Sequence, residues 1–555
     1  MLTRTVPLAA IAVAAFVAGV IEATAPARDE RALAHHYASD WARGDFAGMY
    51  ALLDTASQRT LSEAQFVSAY QRAAMMATLT GLVPGRVSGP DGNLLHVRMR
   101  VKTRVFGDLR ETLQLTFSGS GSGARVHFTR ASLFPGLQGF EQLHRRVALA
   151  PRAALFARDG TPLAVGPNRS SPIPGVAGEI VGTLGPIPAA QATTYAAEGY
   201  PAGAKVGLDG LERIFQQQLA GTPGGTLDAG THVLAQTAPT PGHAVTTTID
   251  PALEAAAIAA MGNRLAGIAA MDPRNGQVLA LSGIAFSAPQ PPGSTMKIIT
   301  ATGALEAGIV KLSSTFPIQT SSTIEGYTLQ NANGEACGGT FLNAFAVSCN
   351  SVFAPLGAQL GAARLVNIAE RFGFNQPPPF AGAEESTIPT AATIGGALAV
   401  GSSAIGQGKV LTTPLEMVDS GATIAMGGRR PVQTLRVGSH PRFIHVTSPT
   451  VAAEVQRMMV AVVRFGTGTA AQIPGVTVAG KTGTAELRNT AAPPGGAGPT
   501  AAQQAQSTDA WFVGYAPVGA PRIAVAALFP NQGAGGATAA PAVHDVLAAA
   551  LSLHY

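Results

Sequence analysis

A serine and a lysine three residues apart form the pair best suited to nucleophilic catalysis in this chain. The stretch from Ser294 to Lys297 reads S-x-x-K, follows Pro291-Pro292-Gly293 and opens an apolar, helix-like run that reaches Glu306. Residues three apart on a helix share one face, so the hydroxyl and the amine can meet. A hydroxyl with a base beside it is an activated nucleophile. Alone the pattern is weak, because S-x-x-K occurs by chance in most long proteins and Ser294 could be a helix N-cap.

Two further motifs follow downstream and strengthen the interpretation of the first as a catalytic motif. Ser348-Cys349-Asn350 reads S-x-N, and the stretch from Lys481 to Thr484 reads K-T-G-T. Taken singly, Asn350 could be a turn residue and the lysine motif a turn at the end of a strand. In this order, however, S-x-x-K, S-x-N and K-T-G are the signature of penicillin-binding proteins and serine β-lactamases.

From about residue 26 to the C-terminus, the chain resembles a class B penicillin-binding protein. The resemblance implies that Ser294 is the nucleophile and Lys297 its base, neutral because Lys481 and burial lower its pKa. It implies that Ser348 relays protons and that Asn350 holds the amide of a bound peptide. The remaining roles are substrate binding by Thr482, Gly483 and Thr484, strand addition to the K-T-G strand, and an oxyanion hole formed by the backbone N–H groups of Ser294 and Thr484.

The activity that this resemblance implies is that of a serine-type D,D-transpeptidase. Such an enzyme cleaves the D-Ala-D-Ala end of one peptidoglycan stem peptide and transfers the acyl group to an amine on another, and β-lactam antibiotics acylate its serine. The alternatives are a D,D-carboxypeptidase or β-lactamase on the same fold, and a non-catalytic envelope scaffold or β-lactam sensor. No residue is recognisable as a deacylation base, and intact Ser294, Lys297 and Lys481 argue against a scaffold.

The predicted fold is multidomain, α+β and α/β, as expected for a chain of 555 residues. It comprises a membrane anchor, an NTF2-like cup, a pedestal or dimerisation domain, and a serine transpeptidase domain of the β-lactamase-like fold. The predicted bounds are 1–5 for a cytoplasmic tip, 6–25 for the anchor, 26–143 for the NTF2-like domain, 144–240 for the pedestal and 241–555 for the transpeptidase domain.

The anchor rests on an uncharged apolar run from Val6 to Ile21, preceded by Arg4. A signal peptide cleaved near Ala23-Thr24-Ala25 is the alternative, which Pro26 disfavours, and a buried core helix is a third. An anchor places the protein in the cell membrane, single-pass, with its catalytic domain outside the cytoplasm.

The region before the pedestal combines helices with strands. A helical pattern from Ala32 to Leu53 breaks at Gly44-Asp45, and Leu94 to Phe106 alternates with period two. Gly107-Asp108 predicts a tight turn. The stretch from Trp41 to Leu53 resembles the NTF2-like domain of methicillin-resistance-type and some actinobacterial class B enzymes.

The sequence from residue 241 onward predicts strands that pack against the first and last helices of this region. Between S-x-x-K and K-T-G it predicts an all-helical insert. The predicted strands include Ile268 to Met271, Asp509 to Ala516 and Ile523 to Phe529, and the last helix runs from Ala540 to Ser552. The Pro/Gly/Ala/Gln-rich stretch from Asn489 to Ser507 predicts a mobile loop beside the cleft.

The chain has two cysteines, Cys337 and Cys349, the second inside S-x-N. In an exported protein such a pair predicts a disulfide that braces this motif, with two free thiols as the alternative. Their spacing fits neither a zinc site nor a redox motif.

The composition and charge of the chain limit the classes of partner that it is expected to bind. Hydrophobic residues make up 46% of the chain, charged residues 12%, and the formal net charge is +5. No Lys/Arg run or basic-aromatic patch in the sequence argues for nucleic acid. Peptidoglycan stem peptides, β-lactams and the membrane are therefore the predicted partners, with a lipid-linked-glycan polymerase as a further candidate. No metal and no organic cofactor is indicated.

Overall fold

A computed structural model describes residues 27–486, Gln503 and residues 506–553. The predicted cytoplasmic tip and membrane anchor lie outside the described residues, as does most of the predicted loop from Asn489 to Ser507. No single helix of the described part is long and apolar enough to cross a bilayer, although Asn350–Leu360 and Ala362–Phe372 pass that test together with a bend of 102° between them.

Contacts between Cα atoms divide the chain into two units. The first consists of residues up to Ala153, Leu184–Val206 and Gln217–His243, and the second of Ala154–Thr183, Gly207–Gln216 and Ala244 onward. The predicted pedestal thus contributes chain to both units. Its strand Leu155–Phe156 pairs with Val245–Thr246 on one side and with Pro162–Ala164 on the other.

The first unit begins with four helices and a four-stranded antiparallel sheet. The helices are α1 (27–43), α2 (Phe46–Ala51), α3 (Thr55–Thr60) and α4 (Glu63–Ala77). The strands, in spatial order, are β1 (Leu79–Asp91), β2 (Leu94–Thr103), β3 (Gly107–Ser118) and β4 (Arg125–His127). Further along the chain lie β5 (Leu143–Ala148), β6 (Leu155–Phe156), β7 (Pro162–Ala164), α5 (Pro174–Ile180), β8 (Leu184–Pro186), α6 (Ala192–Ala197), β9 (Lys205–Gly207), α7 (Gly210–Ile214), α8 (Gln216–Ala220), β10 (Gly224–Ala229) and β11 (His232–Thr237).

The period-two prediction for β2 is confirmed, since Val97, Met99 and Val101 are buried while the residues between them are exposed. One prediction in this unit is wrong in detail, and one strand was missed. Gly107-Asp108 is not the turn, because the turn falls at residues 104–106 and Gly107 already opens β3. The edge strand β1 was not predicted, because its glycines and prolines disguise a strand.

The second unit is built on a five-stranded antiparallel sheet. Its spatial order is β14-β13-β23-β22-β21, where β13 is Gly267–Asp272, β14 Gln277–Gly283, β21 Ala479–Glu486, β22 Thr508–Ala516 and β23 Ile523–Phe529. β12 (Val245–Thr246) leads into α9 (Pro251–Met261), which Asp250 caps. α9 and the C-terminal helix Gly535–Ser552 share one apolar core with the sheet. The three predicted strands are confirmed, and the last helix begins five residues earlier than predicted.

The insert between the first and third motifs is not all-helical, contrary to the prediction. Its helices are α10 (Lys297–Glu306), α11 (Phe341–Ala346), α12 (Asn350–Leu360), α13 (Ala362–Phe372), α14 (Ala397–Ala404), α15 (Pro414–Ala425) and α16 (Pro449–Arg464). Six short strands accompany them: β15 (Thr315–Gln319), β16 (Ser321–Ile324), β17 (Tyr327–Gln330), β18 (Cys337–Thr340), β19 (Arg429–Pro431) and β20 (Phe443–His445). They form three small two-stranded sheets, whose strands are too short for a periodic pattern to reveal.

Candidate active site

Ser294 lies in a single 3₁₀ turn, Gly293–Met296, that continues directly into α10. The carbonyl of Pro292 accepts from both the backbone N–H and the hydroxyl of Thr295, which closes the turn. Gly293 has φ +52°, and a Cβ there would come within 2.8 Å of the Thr484 carbonyl carbon. A residue other than glycine would therefore push the turn that carries Ser294 away from the K-T-G strand.

Lys297 is fully buried at the first position of α10. Its Nζ lies 2.7 Å from Asn350 Oδ1, 2.7 Å from the Ser348 carbonyl oxygen and 3.3 Å from Ser348 Oγ. Within the described residues its amine has no hydrogen bond to Ser294 Oγ. The expected serine–lysine pairing is thus replaced by contacts with the S-x-N motif.

Lys481 approaches the same hydroxyl from the sheet. It is fully buried on β21, and its Nζ donates to Ser348 Oγ at 2.9 Å and to the Thr482 carbonyl at 3.0 Å. Ser348 Oγ therefore lies between two lysine amines. Burial, and then the nearby Lys481 charge, lower the pKa of Lys297 well below its usual value, and burial lowers the pKa of Lys481 to about 7.

A neutral amine keeps two N–H donors and one lone pair. In Lys297 the two donors match the two acceptors at 2.7 Å, the Ser348 carbonyl and Asn350 Oδ1. The lone pair is then left to receive a proton from a neighbouring hydroxyl. The two acceptors therefore fix the orientation of an amine that can act as a base.

Ser348 has the left-handed backbone conformation, with φ +64°. Such a conformation costs a non-glycine residue on the order of 1 kcal/mol or more. It lies between α11 and α12, where the Ser348 and Cys349 N–H groups donate to the carbonyls of Phe345 and Ala344. The sharp reversal aims both the side chain and the carbonyl of Ser348 at the lysines.

The loop that carries Ser348 is tied to the neighbouring small strands. Cys337 and Cys349 form a disulfide, with their Cα atoms 5.8 Å apart. Asn350 Nδ2 donates to the Gln330 carbonyl at 3.1 Å, and Asn331 Oδ1 accepts from the Ser351 N–H at 2.7 Å. Asn350 thus uses its oxygen on Lys297 and its nitrogen on β17.

Among the residues that the structure describes, the K-T-G strand is an edge strand of the five-stranded sheet, because β21 pairs there with β22 alone. A Cβ on Gly483 would lie 2.7 Å from the Pro292 carbonyl and 2.9 Å from Trp511 Cβ. Gly483 therefore allows the strand to pack closely against the turn that carries Ser294.

The two threonines of this motif contact other parts of the same unit. Thr482 Oγ1 lies 2.5 Å from Thr467 Oγ1, and Thr484 Oγ1 accepts from the Gly535 N–H at 3.3 Å. Thr482 is buried and Thr484 is partly exposed. Their hydroxyls can still turn toward a ligand, because a hydroxyl is both donor and acceptor.

Residues that the motifs did not reveal complete the site. Phe353 places its ring centroid 5.5 Å from Lys297 Nζ, and Phe345 places its own 5.6 Å from Lys481 Nζ. Each ring stabilises a cation when the lysine is protonated, without neutralising it. Both phenylalanines lie three residues outside S-x-N, on α11 and α12, and that spacing is the signal that could have identified them.

Within the described ranges, no group of three or more His, Cys, Asp or Glu side chains could hold a metal ion.

Five of the predicted residues, Ser294, Lys297, Ser348, Asn350 and Lys481, come together around the turn at Ser294 and the S-x-N loop.

Family profiles match two parts of the chain. The penicillin-binding protein transpeptidase domain matches residues 266–548, and the penicillin-binding protein dimerisation domain matches residues 148–247. The first of these covers more than half of the chain. The chain belongs to the penicillin-binding protein transpeptidase family. The dimerisation match places it among members that carry both domains, which are the class B enzymes.

Known members of the family resemble it over part of their length. The peptidoglycan D,D-transpeptidase PbpA of Mycobacterium tuberculosis (strain CDC 1551 / Oshkosh) is 36% identical over 306 residues, which are 49% of this chain and 57% of that protein. The chain thus matches little more than half the length of this relative.

Solved structures extend the likeness. The D,D-transpeptidase domain of a peptidoglycan glycosyltransferase from Eggerthella lenta has a TM-score of 0.59 and 26% identity, and the match covers 73% of this chain and 99% of that one. The imipenem acyl-enzyme complex of penicillin-binding protein A from M. tuberculosis has a TM-score of 0.57 and 26% identity, covering 72% and 99%.

Proposed function

We propose that this protein is a peptidoglycan D,D-transpeptidase that works through a Ser294 acyl-enzyme and is acylated by β-lactams. The observation that carries the proposal is the position of Ser348 Oγ between the amines of Lys297 and Lys481, at 3.3 and 2.9 Å. Two buried lysines linked by one hydroxyl form a proton path beside a serine nucleophile.

Acylation begins when Ser294 Oγ attacks the carbonyl carbon between the two D-alanines. Its proton passes to the lone pair of neutral Lys297, and the carbonyl oxygen becomes an oxyanion. The backbone N–H groups of Ser294 and Thr484 are its proposed donors, commonly worth about 3–4 kcal/mol each. The close packing of Gly293 against Thr484 supports this pairing, because it brings the two backbones together.

Collapse of this intermediate breaks the peptide bond and releases the terminal D-alanine. The leaving amine needs a proton, which Ser348 can deliver because its hydroxyl contacts both lysines. Ser348 Oγ is then reprotonated from Lys297, which holds the proton taken from Ser294. An acceptor amine reverses these proton transfers when it attacks the ester, and restores Ser294.

Binding of the donor peptide is assigned to the K-T-G strand and Asn350. The free edge of β21 can add a peptide as a further strand. Lys481, Thr482 and Thr484 are proposed to bind its terminal carboxylate. A carboxylate there would form charge-assisted hydrogen bonds with a protonated Lys481.

Labelling with a fluorescent penicillin tests the proposal. The wild-type protein should become labelled, Ser294→Ala should not, and mass spectrometry should find the adduct on the peptide that contains Ser294. The variant Ser313→Ala, which changes an exposed serine in the turn after α10, is the matched control and should label normally. Labelling of Ser294→Ala would exclude the proposed nucleophile.

A D,D-carboxypeptidase or β-lactamase is distinguished by the fate of the acyl-enzyme. A transpeptidase should keep the penicilloyl group for many minutes and, with a stem-peptide donor and an amine acceptor, should form the cross-linked product. Rapid release of penicilloic acid without cross-linked product would instead assign the site to hydrolysis.

The proposal includes the rest of the chain. Residues 26–143 are an NTF2-like domain of the methicillin-resistance and actinobacterial type, and the packing of α1–α4 with the sheet β1–β4 supports this.

Residues 6–25 anchor the protein in the cell membrane as a single pass, with the catalytic domain outside the cytoplasm. A lipid-linked-glycan polymerase is the proposed protein partner. Truncation before residue 26 should release the protein from the membrane fraction if the anchor is real.

A further inference from the structure

Three arginines from separate parts of the second unit surround one surface cavity. The cavity has a volume of about 330 Å³ and is lined by Arg274, Arg429 and Arg522 together with four apolar residues, Ala425, Met426, Ala520 and Pro521. This volume lies within the range of small-molecule sites. The seven described lining residues include no carboxylate.

The guanidinium groups are held by different contacts. Arg274 donates through Nε and Nη2 to the two carboxylate oxygens of Asp272, at 2.9 and 2.8 Å, which fixes its plane and leaves Nη1 free of that ion pair. The guanidinium carbon of Arg429 lies 4.9 Å from the ring centroid of Phe443. Stacking and ion pairing thus orient two of the three arginines before any ligand arrives.

The charge around the cavity is mostly uncompensated. Within the described part of the chain, neither Arg429 nor Arg522 has an ion pair, and both are exposed. The segment 427–447, which contains β19 and β20, has four arginines and two histidines but no Asp or Glu. Only Arg430 among these arginines points inward, toward Glu416 and Asp419. An anion in the cavity would therefore meet the guanidinium groups of Arg274, Arg429 and Arg522, and Asp272, the ion-pair partner of Arg274, is the carboxylate that would compete with it.

The end of α15 could oppose an anion, because a helix C-terminus carries partial negative charge. Three of its last four carbonyls are already occupied, however. Those of Ala422, Thr423 and Ile424 accept from the N–H groups of Met426, Gly428 and Gly427. These hydrogen bonds reduce the negative charge that the helix end offers, and the apolar residues Ala425 and Met426 line the cavity beside it.

We infer that this cavity binds an organic phosphate, with the phosphoryl oxygens on the arginines and an apolar group on the floor formed by Ala425, Met426, Ala520 and Pro521. Arginine suits this role because its planar fork matches the oxygens of a phosphate and remains charged. The apolar floor favours a phosphate ester over free phosphate, because carbon buried there leaves water.

The cavity is separate from the proposed catalytic centre. Thr484 pairs with Ala510 on β22, and the turn that carries Arg522 follows Ala516, six residues farther along that strand. At a rise of about 3.3 Å per residue, this corresponds to about 20 Å. Acylation of Ser294 and phosphate binding can therefore be measured independently.

Calorimetric titration of the full chain with phenyl phosphate and with inorganic phosphate, at physiological ionic strength, tests the inference. Phenyl phosphate should bind at one saturable site and more tightly than inorganic phosphate. Arg429→Gln and Arg522→Gln should each weaken it about tenfold or more, since each removes a charged hydrogen-bond donor. Arg364→Gln removes an exposed arginine of α13 and is the matched control for net charge, so it should bind like the wild type.

Normal labelling by fluorescent penicillin should accompany weakened binding in both variants, which shows that they are folded. Failure to saturate by about 10 mM phenyl phosphate would overturn the inference. So would equal weakening by Arg364→Gln, which would indicate a general charge effect, or a lack of preference for phenyl phosphate over inorganic phosphate, which would remove the role of the apolar floor. None of these results bears on the proposed transpeptidase activity.

Discussion

A lysine cluster and an arginine cluster in the second unit differ in burial. Lys297 and Lys481 are fully buried and share one hydroxyl. Arg274, Arg429 and Arg522 line an open cavity and are exposed. The first cluster gathers amines that can lose a proton, and the second gathers guanidinium groups that cannot.

The difference follows from the chemistry of the two side chains. Burial penalises the charged form, and a lysine can avoid this penalty by releasing its proton, which turns it into a base. Arginine stays charged under any condition in which the protein is folded, so it must remain in water or meet an anion. A buried lysine pair therefore suggests proton transfer, whereas an exposed arginine cluster suggests anion binding.

Replacing the buried base should have the largest effect. Lys297→Arg keeps a positive charge and hydrogen-bond donors but removes the group that can become neutral. The second-order rate constant for acylation by a fluorescent penicillin should fall by about 10²–10⁴-fold, the usual contribution of a general base. Lys311→Arg, at an exposed position, should leave it unchanged. A Lys297→Arg rate within tenfold of the wild type would contradict the role of neutral Lys297.

Glu254 is a buried acid, and burial should shift its pKa in the direction opposite to that of the buried lysines. Burial raises the pKa of Glu254 to about 7, although Ser282 Oγ and the Leu281 N–H donate to its carboxylate. Between its ordinary pKa and pH 7, the folded protein holds a proton that the unfolded chain has released. The free energy of unfolding should therefore fall as the pH rises through this window, by up to about 3 kcal/mol.

Glu254→Gln should remove this loss, because an amide does not titrate. Its melting temperature should match that of the wild type near pH 4 and exceed it near pH 8. Glu385→Gln, at an exposed position, should retain the pH dependence of the wild type. The same pH dependence in Glu254→Gln and the wild type would show that this carboxyl titrates normally.

Removing the second lysine should weaken acylation and shift its pH dependence. Lys481→Ala deletes the cation that lowers the pKa of Lys297, so the acidic limb of the acylation profile should move to higher pH. At pH 7 the rate should fall about 10- to 100-fold, including the loss of a charged hydrogen bond to the ligand carboxylate. Stopped-flow acylation across the pH range measures both effects. An unmoved acidic limb would show that Lys481 does not control the protonation of Lys297.

Removing an exposed arginine should have the smallest effect. Without added phosphate, Arg522→Gln should change the free energy of unfolding by less than about 0.5 kcal/mol and leave acylation unchanged. Urea denaturation followed by tryptophan fluorescence measures the first quantity. A loss above about 1 kcal/mol would assign Arg522 a structural role in the turn between β22 and β23 and weaken the contrast with the buried lysines.

The three motifs of the candidate site were readable in the sequence because each combines a reactive side chain with a fixed local geometry. Ser294 and Lys297 flank the start of α10, and the K-T-G residues lie on β21, as predicted. The contacts were harder to foresee. Lys297 hydrogen-bonds Ser348 and Asn350 rather than Ser294, because S-x-N packs over the start of α10 through contacts distant in the chain.

The small strands were the main error in the fold. β15 to β20 have three to five residues each, so their pairing depends on distant partners rather than on a repeating pattern. The close packing of Gly483 against the turn that carries Ser294 was also not predicted, because its close neighbour Pro292 lies far away in the sequence. Tertiary contacts decided both.

The sequence by itself determined the kind of chemistry that we propose, because the proposed nucleophile, base and partner lysine lie in short motifs whose types and order can be read without knowledge of the fold. The tertiary structure alone decided how the charges are used. It buried Lys297 and Lys481 around Ser348, which lowers the pKa of both lysines. It also brings Arg274, Arg429 and Arg522 from three distant segments together in one cavity, which no local sequence pattern predicts. Burial and proximity between distant residues set both outcomes, and neither is a property of local sequence.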